Sequence, residues 1–230
     1  MTEVLSQLRR DPWFAAQSDA LQNLICDRGV IVHRRDQQRI FSAGDGPDGL
    51  YAILHGNVHM MHLTPGGACG IYYVMQAPAW FGELSEVDGG PRVQDAIAVG
   101  KAKLFSLPHH AFRSIVDSDP RHWVVFASLM AQHIRDLFLQ LEALTTRSAR
   151  ARLAGALLNI DAGARLAASA SPFPDITQEA LAMMIGVTRQ TASTILREFE
   201  QNEIIRLGYR RLEILNRTGI QRIAVGAQRP

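Results

Sequence analysis

The 230-residue sequence predicts an α+β protein made of a β barrel, one long helix and a second, mainly helical domain. Three features of the chain predict this class. Short β-branched and aromatic runs fill residues 29–107, with turn residues about every eight to twelve positions. After Pro120 apolar residues recur with a helical period, and residues 176–215 read as two short helices followed by a hairpin.

The N-terminal part is expected to be an antiparallel sandwich or barrel with helices packed outside it. Residues 1–26 carry leucines at helical spacing. Runs such as VIVHR, LYAIL and KLFSL, separated by turns rich in glycine and proline, are typical of antiparallel β domains. We therefore assign residues 1–118 to this domain.

A long helix is predicted for residues 119–146. Its apolar residues are separated alternately by four and three positions, which is the spacing of a coiled-coil seam. The seam comprises Trp123, Ala127, Met130, Ile134, Leu137, Leu141 and Leu144. This strict period favours pairing with a second helix, so we expect a dimerisation helix. The alternative is packing on the chain's own barrel, which the flanking Phe126 and Leu129 favour.

A hinge is expected between Thr145 and Ser148, where the apolar stripe ends. The hydroxyl of Ser148 can cap a new helix by accepting from a free backbone N–H group. Residues 147–230 form the predicted third unit. The segment 161–175, rich in Ala, Gly, Ser and Pro, is interpreted as a connection inside that unit.

Two short helices that meet at one glycine are predicted next. Thr177 can cap a helix that ends near Ile185, and Gly186 supplies the backbone freedom for a tight turn. Thr188 can cap a second helix that ends near Asn202. The apolar face of this second helix comprises Ala192, Ile195, Leu196 and Phe199.

The opposite face of the second helix carries Arg189, Gln190, Ser193 and Arg197. Such a face suits the major groove of DNA, because arginine donates to guanine O6 and N7 and glutamine pairs with adenine N6 and N7. Thr177 and Gln178 are expected to contact phosphates at the start of the first helix. The alternative is a solvated amphipathic helix pair. The short turn and the two capping threonines favour the DNA-binding interpretation over it.

Residues 204–215 read as a β-hairpin that turns near Gly208. Arg206, Arg210 and Arg211 would form a basic wing beside the helices, suited to the phosphate backbone. We therefore predict double-stranded DNA as the partner of this unit.

Composition excludes several classes of protein. No apolar run spans a bilayer and no secretory signal is visible, so we expect a cytoplasmic protein without a membrane partner. Cys26 and Cys69 are too few for a disulfide framework or a cysteine cluster, and no histidine spacing predicts a metal site. No motif of the common enzyme classes occurs. Residues 147–230 contain 12 Lys or Arg and 7 Asp or Glu, against 12 and 15 in residues 1–146, which favours polyanion binding at the C-terminal end.

The stretch GVTRQTASTILREFEQNEII resembles the winged helix-turn-helix of the cyclic-AMP receptor protein/FNR superfamily of bacterial transcription regulators. A turn-rich β segment, the GEL of WFGELSEV, an arginine ten residues on and a long helix follow that family's order. The resemblance implies a cyclic-nucleotide-binding-like β-roll (jelly roll), a homodimer, recognition helices about 34 Å apart on a pseudo-palindromic site, and contact with RNA polymerase. Arg189 matches the family's recognition arginine. Gln190 and Thr194 depart from the base-reading residues of the cyclic-AMP receptor protein itself, so a different half-site is expected.

By the same resemblance, WFGELSEVDGGPR is a phosphate-binding cassette. Its expected effector contacts are Gly82, Glu83, Leu84, Ser85 and Arg92. Backbone N–H groups at Gly82 would approach an anion, Glu83 would accept from a ribose hydroxyl, and Arg92 would pair with the phosphate.

Three further positions at this pocket differ from the cyclic-AMP receptor protein. Val93 replaces a serine that binds the phosphate, and Leu137 and Phe138 replace a Thr-Ser pair that reaches the adenine. The effector is therefore open between a cyclic nucleotide, a cyclic dinucleotide and a more apolar molecule, or the pocket is vestigial in an effector-independent regulator. A regulatory protein that acts through protein contacts is a further alternative, which the basic wing and the groove-facing side chains disfavour.

Overall fold

The computed structural model describes residues 2–63, 69–166, 176–208 and 211–226. The elements that precede the long helix are α1 (Thr2–Leu8), α2 (Pro12–Ala15), α3 (Asp19–Arg28), β1 (Val30–Arg34), β2 (Arg39–Phe41), β3 (Gly49–Leu63), β4 (Cys69–Gln76), β5 (Ala79–Phe81), α4 (Glu83–Asp88), β6 (Asp95–Pro108) and α5 (His109–Ser118). The long helix and the elements after it are α6 (Arg121–Thr146), α7 (Ala149–Leu166), α8 (Gln178–Met184), α9 (Arg189–Gln201), β7 (Ile205–Gly208), β8 (Arg211–Ile214) and α10 (Arg217–Ala224). This order confirms the predicted α+β class. Within the described ranges, no helix combines the length and apolarity needed to cross a bilayer.

Six strands form the antiparallel sheet of the β-roll. The sheet runs β1–β6–β3–β4, with β2 paired to β6 and β5 paired to β3. Near Gly56 the register of β3 against β6 shifts; this glycine has φ of +91°, and a Cβ there would lie 2.5 Å from the carbonyl oxygen of Lys101. Glycine alone permits this conformation and close approach without strain. The core of the sheet includes the buried Ile53, Val58, Met60 and Leu104.

A second core joins the sheet to the flanking helices. Its aromatic residues include Trp13, Phe14, Trp80, Phe105, Phe112 and Phe126. The Trp13 and Trp80 rings meet edge to face at a centroid distance of 5.4 Å. Trp13 Nε1 also donates to the carbonyl oxygen of Val125 at 3.1 Å. These contacts attach the first half of α6 to the β-roll.

Helix α6 packs on the β-roll along one side only. Phe126 and Leu129 are buried in the second core, so this part of the helix packs on the chain's own β-roll rather than on a second helix. The last four residues of the predicted seam are between 44% and 56% exposed: Ile134, Leu137, Leu141 and Leu144. The C-terminal half of the seam is therefore uncovered in a single chain.

The C-terminal elements enclose a third core, which includes Leu157, Leu196, Phe199 and Ile220. Ile71 and Val74 on β4 belong to the same buried cluster, and β4 contacts α7 and α8. Burial therefore continues from the β-roll into the C-terminal unit. The division of the chain at residues 118 and 146 stays a prediction.

The buried His59 on β3 makes stability depend on pH. Burial lowers the pKa of His59 from 6.5 to about 4. Between these two values the unfolded chain binds a proton that the folded chain does not, so lowering the pH favours unfolding. The free energy of unfolding is expected to keep the full contribution of the neutral His59 above pH about 6.5. It should fall by up to about 3 kcal/mol as the pH approaches 4. Urea unfolding at pH 7 and at pH 4.5 measures this loss.

The matched control for His59 lies on the same strand. His59→Gln should reduce the loss of stability at low pH, whereas His55→Gln, at an exposed position, should leave it unchanged. An equal loss in wild type and His59→Gln would contradict this origin of the pH dependence.

Candidate functional site

The predicted helix-turn-helix is present, with both caps. The Thr177 hydroxyl accepts from the N–H of Ala180 at 3.1 Å at the start of α8, and the Thr188 hydroxyl accepts from the N–H of Thr191 at 3.1 Å at the start of α9. Gly186 lies between the helices with φ of +65°, a left-handed conformation that favours glycine. The capping and turn predictions are therefore confirmed.

Helix α9 has one buried and one exposed face, as its sequence pattern predicts. Ala192, Ile195, Leu196 and Phe199 are buried in the third core. On the other face Arg189, Gln190, Thr194 and Arg197 are exposed, and Ser193 is half-buried. Neither arginine pairs with an acidic group among the described residues. Their guanidinium groups are therefore available to acceptors on another molecule.

Thr194 has a more restricted chemistry than its neighbours on this face. Its hydroxyl donates to the carbonyl oxygen of Gln190, one turn earlier, at 3.0 Å. Its proton is used inside the helix, so Thr194 presents a methyl group and an acceptor oxygen to a partner. A methyl group at this position suits the methyl of thymine better than a purine edge.

The beginning of α8 and the wing lie beside the exposed face of α9. One cleft is lined by Thr177, Gln178, Arg189 and the β7 residues Leu207 and Gly208, among others. The structure thus brings together the predicted phosphate contacts, the predicted base-reading arginine and the hairpin. Together they form one surface, as a DNA interface requires.

The wing is partly neutralised. Strands β7 and β8 form the predicted hairpin, and Arg206 Nη1 contacts Glu213 Oε2 across it at 2.8 Å. Because both side chains are exposed, this pair adds little stability, but it removes net positive charge from the hairpin. Arg211 begins β8, while Arg210 lies outside the described residues.

At the predicted hinge, two residues, Arg147 and Ser148, separate α6 from α7. Helix α6 ends at Thr146, and Arg147 is extended with ψ of 146°. Ser148 then accepts from the N–H of Ala151 at 3.2 Å, which confirms it as the N-cap of α7. Arg147 also donates to the carbonyl oxygen of Ala224 at 3.2 Å, so the hinge contacts the last helix of the C-terminal unit.

A cavity of about 180 Å³ lies between the β-roll and α6. Its lining contains seven of the eight predicted effector contacts: Gly82, Glu83, Leu84, Ser85, Arg92, Val93 and Leu137. Phe138 is the exception, because its side chain is 67% exposed and does not line the cavity. On α6, Leu137 faces the cavity and the neighbouring Phe138 faces away from it, so the assignment of Phe138 by resemblance stays a prediction.

The guanidinium of Arg92 is enclosed by the protein itself. Its Nη1 donates to the carbonyl oxygen of Gly82 at 2.5 Å, and its Nη2 donates to the carbonyl oxygen of Gly49 at 2.6 Å and to Asp48. The buried Glu86 carboxylate lies 3.5 Å from Nη2. With only 2% of its side chain exposed, Arg92 links the cassette to the start of β3.

Helix α6 is joined to the cassette by an ion pair that the sequence does not assign. His133 Nδ1 lies 2.8 Å from Glu83 Oε1. Burial lowers the pKa of His133, but the hydrogen bond and charge of Glu83, together with Asp136 and Asp11, raise it above its usual value overall. The sequence does contain a signal for this role of His133. This histidine lies one helical turn before Leu137, which the resemblance places at the pocket, so both side chains lie on the same face of α6.

Two family models match the chain. A model described as "Cyclic nucleotide-binding domain" matches residues 31–119, which include the sheet and the cassette. A model described as "Crp-like helix-turn-helix domain" matches residues 151–223, which include α8, α9 and the wing.

Similar proteins match most of the chain. The cyclic AMP receptor protein of Thermus thermophilus is 29% identical over 187 residues, which cover 81% of this chain and 84% of that protein. The CRP-like cAMP-activated global transcriptional regulator of Mycobacterium tuberculosis is 28% identical over 170 residues, covering 73% and 76%.

Solved structures agree in fold. FixK2 from Bradyrhizobium japonicum has a TM-score of 0.73 at 19% identity and covers 85% of this chain and 96% of its own. The catabolite activator protein of Thermus thermophilus has a TM-score of 0.51 at 26% identity and covers 95% and 100%. With matches to a cyclic nucleotide-binding domain model and a Crp-like helix-turn-helix model on either side of a long helix, the chain belongs to the Crp/Fnr superfamily of bacterial transcription regulators.

Proposed function

We propose that two copies of this chain pair through α6 and bind a pseudo-palindromic site on double-stranded DNA, under the control of a small effector in the β-roll. The observation that carries the proposal is the exposed polar face of α9, on which Arg189 has no acidic partner among the described residues. Family membership supports two further proposals, that the protein works in the cytoplasm and that the DNA-bound dimer contacts RNA polymerase.

Selection of duplexes from a randomised pool tests DNA recognition. The expected product is an inverted repeat whose half-site centres lie about one helical turn, or about 34 Å, apart. Recovery of unrelated sequences would contradict specific recognition. Failure to retain any duplex at low salt would favour a regulator that acts through protein contacts instead.

Dimerisation has a direct structural basis in the uncovered half of the seam. The exposed Ile134, Leu137, Leu141 and Leu144 repeat with coiled-coil spacing along α6. A two-fold interface brings the same residues of both copies together, so these side chains would become buried on pairing. The same pairing would hold the two α9 helices at a fixed separation.

Leu141→Asp is expected to weaken the dimer by at least about 100-fold, because it places two unpaired carboxylates in an apolar two-fold interface. Sedimentation equilibrium at micromolar protein should then show the mass of one chain, against twice that mass for wild type. Gln132→Asp adds the same charge at an exposed polar position of α6 and should remain dimeric. A dimeric Leu141→Asp protein would show that the copies pair through another surface.

Control by an effector follows from the position of α6. Its residues His133 and Leu137 line the cavity, and the helix continues to the break at Arg147 and the C-terminal unit. A ligand that binds one placement of α6 more tightly than another would shift the population of DNA-binding dimers. A ligand with equal affinity for both placements would change nothing. The alternative of an effector-independent regulator predicts the same DNA affinity with and without every ligand.

A further inference from the structure

The size of the cavity limits its ligand. Its volume is about 180 Å³, whereas sites for drug-sized ligands span about 300–1,000 Å³. An engineered apolar cavity of about 150 Å³ binds benzene, which sets a useful scale. The cavity beside α6 therefore accommodates a molecule of about one ring.

The walls of the cavity are mainly apolar. Phe41, Met60, Met75 and Phe81 are buried and form part of its lining, and Leu84 and Leu137 are more exposed. Methionine side chains adapt to ligands of irregular shape and make favourable contacts with aromatic rings. This lining favours an apolar ligand body over a sugar or a phosphate.

The charges around the cavity oppose an anion. The positive charge of Arg92 is already paired with Asp48, and Glu86 lies within 3.5 Å of it. Glu83 engages His133, and Asp136 adds a second carboxylate to the lining. Among the described residues that line the cavity, no cation remains without a carboxylate partner. A phosphodiester would enter a site with excess negative charge, where like charges brought together oppose binding.

The lining also contains the hydroxyls of Tyr73 and Ser85 and the amide of Gln94, whereas the carboxylate oxygens of Glu83 and Asp136 can only accept hydrogen bonds. No described residue donates to Glu83 Oε2, since the contact with His133 is made by Oε1. The Ser85 hydroxyl also has no hydrogen bond to a described residue, although only 2% of Ser85 is exposed. These groups can accept from a ligand hydroxyl or amine at one end of the cavity.

We infer that this cavity takes a mainly apolar molecule of about one ring that carries a hydrogen-bond donor and no negative charge, rather than a cyclic nucleotide. This inference rests on the proposed sensing role of the β-roll. It names the ligand class of that site. The cavity supplies apolar burial through its aromatic and methionine walls, and the carboxylate of Glu83 supplies orientation.

Three probes of equal ring size test the inference: benzyl alcohol, benzylamine and benzoate. Ligand-observed NMR titrations with the full-length protein should give dissociation constants for the two donor-bearing probes at least about tenfold lower than for benzoate. Cyclic AMP and cyclic di-GMP are expected not to compete with benzyl alcohol. Equal or tighter binding of benzoate or of either nucleotide would overturn the inference, as would the absence of binding by both donor-bearing probes.

Variants locate the binding and test the role of charge. Glu83→Gln combined with Asp136→Asn should remove most of the discrimination against benzoate, whereas Asp117→Asn, on α5 away from the cavity, should preserve it. Met60→Trp should fill the cavity and abolish binding of all three probes. Circular dichroism and thermal melting establish that each variant is folded. Unchanged probe binding in folded Met60→Trp would place the probes elsewhere and overturn the inference.

The NMR titration needs no DNA, so its outcome is independent of the duplex selection. A protein that binds benzyl alcohol but retains no duplex would overturn the proposed regulatory function and leave the ligand class standing. A protein that selects a palindrome but binds cyclic AMP more tightly than benzyl alcohol would do the reverse.

Discussion

Replacing Arg189 with alanine is expected to abolish sequence-specific DNA binding while weak binding to all duplexes remains. The Arg189 side chain is exposed at the first residue of α9 and has no acidic partner among the described residues. A bidentate contact from arginine to guanine contributes about 1–3 kcal/mol of discrimination, and a dimer makes it twice. The loss should therefore be about 2–6 kcal/mol, or about 30-fold to 10⁴-fold in affinity for the selected duplex. Fluorescence anisotropy with the selected and a scrambled duplex measures it.

A variant in the wing distinguishes contacts to bases from contacts to phosphates when it is compared with Arg189→Ala. Arg210→Ala should weaken binding to the selected and the scrambled duplex by the same factor and reduce the salt dependence by about one phosphate contact per subunit. If both variants lost specificity equally, the assignment of base reading to α9 would be wrong. If Arg189→Ala changed only the salt dependence, its side chain would contact the backbone rather than a base.

The C-terminal half of the candidate site is predictable because its signals are local. A threonine cap, an apolar face with a helical period and a glycine turn are each encoded within a few residues, and Thr177, Gly186 and Thr188 adopt those roles in the structure. The seam of α6 is predictable for the same reason. The seam is exposed toward its C-terminal end because the β-roll covers only the first part of the helix. No local sequence pattern indicates where that cover ends.

The effector pocket is less predictable because its chemistry depends on residues far apart in sequence. Arg92 is identified by resemblance as a phosphate ligand, but its charge is engaged by Asp48, which lies 44 residues earlier. Glu83 meets His133 across 50 residues. The sequence places each group near the cassette but does not show which oppositely charged side chain pairs with it. The burial of Ile71 and Val74 against the C-terminal unit is non-local in the same way.

Arg92→Met is expected to destabilise the folded protein by about 3–5 kcal/mol, the usual cost of removing one partner of a buried ion pair. The substitution leaves the fully buried carboxylate of Glu86 with His109 and the N–H of Gly49 as its remaining partners, and two carbonyl oxygens lose their donors. An arginine reserved for an effector phosphate would behave differently, because its removal would affect ligand binding more than folding. Urea unfolding at pH 7 measures the change in the free energy of unfolding.

Two further variants decide whether the charge of Arg92 serves the fold. Arg39→Met removes an exposed arginine that lies 3.9 Å from Asp95, and it should change stability by less than about 1 kcal/mol. Adding Glu86→Gln to Arg92→Met removes the buried negative charge that has lost its arginine and should restore part of the lost stability, because that charge is the main penalty. A cost below about 1 kcal/mol for Arg92→Met, with no rescue in the double variant, would mean that the guanidinium is free to leave Asp48 and meet an anion. The cavity would then be open to a phosphate, so the stability of this one variant bears directly on the class of effector that the β-roll senses.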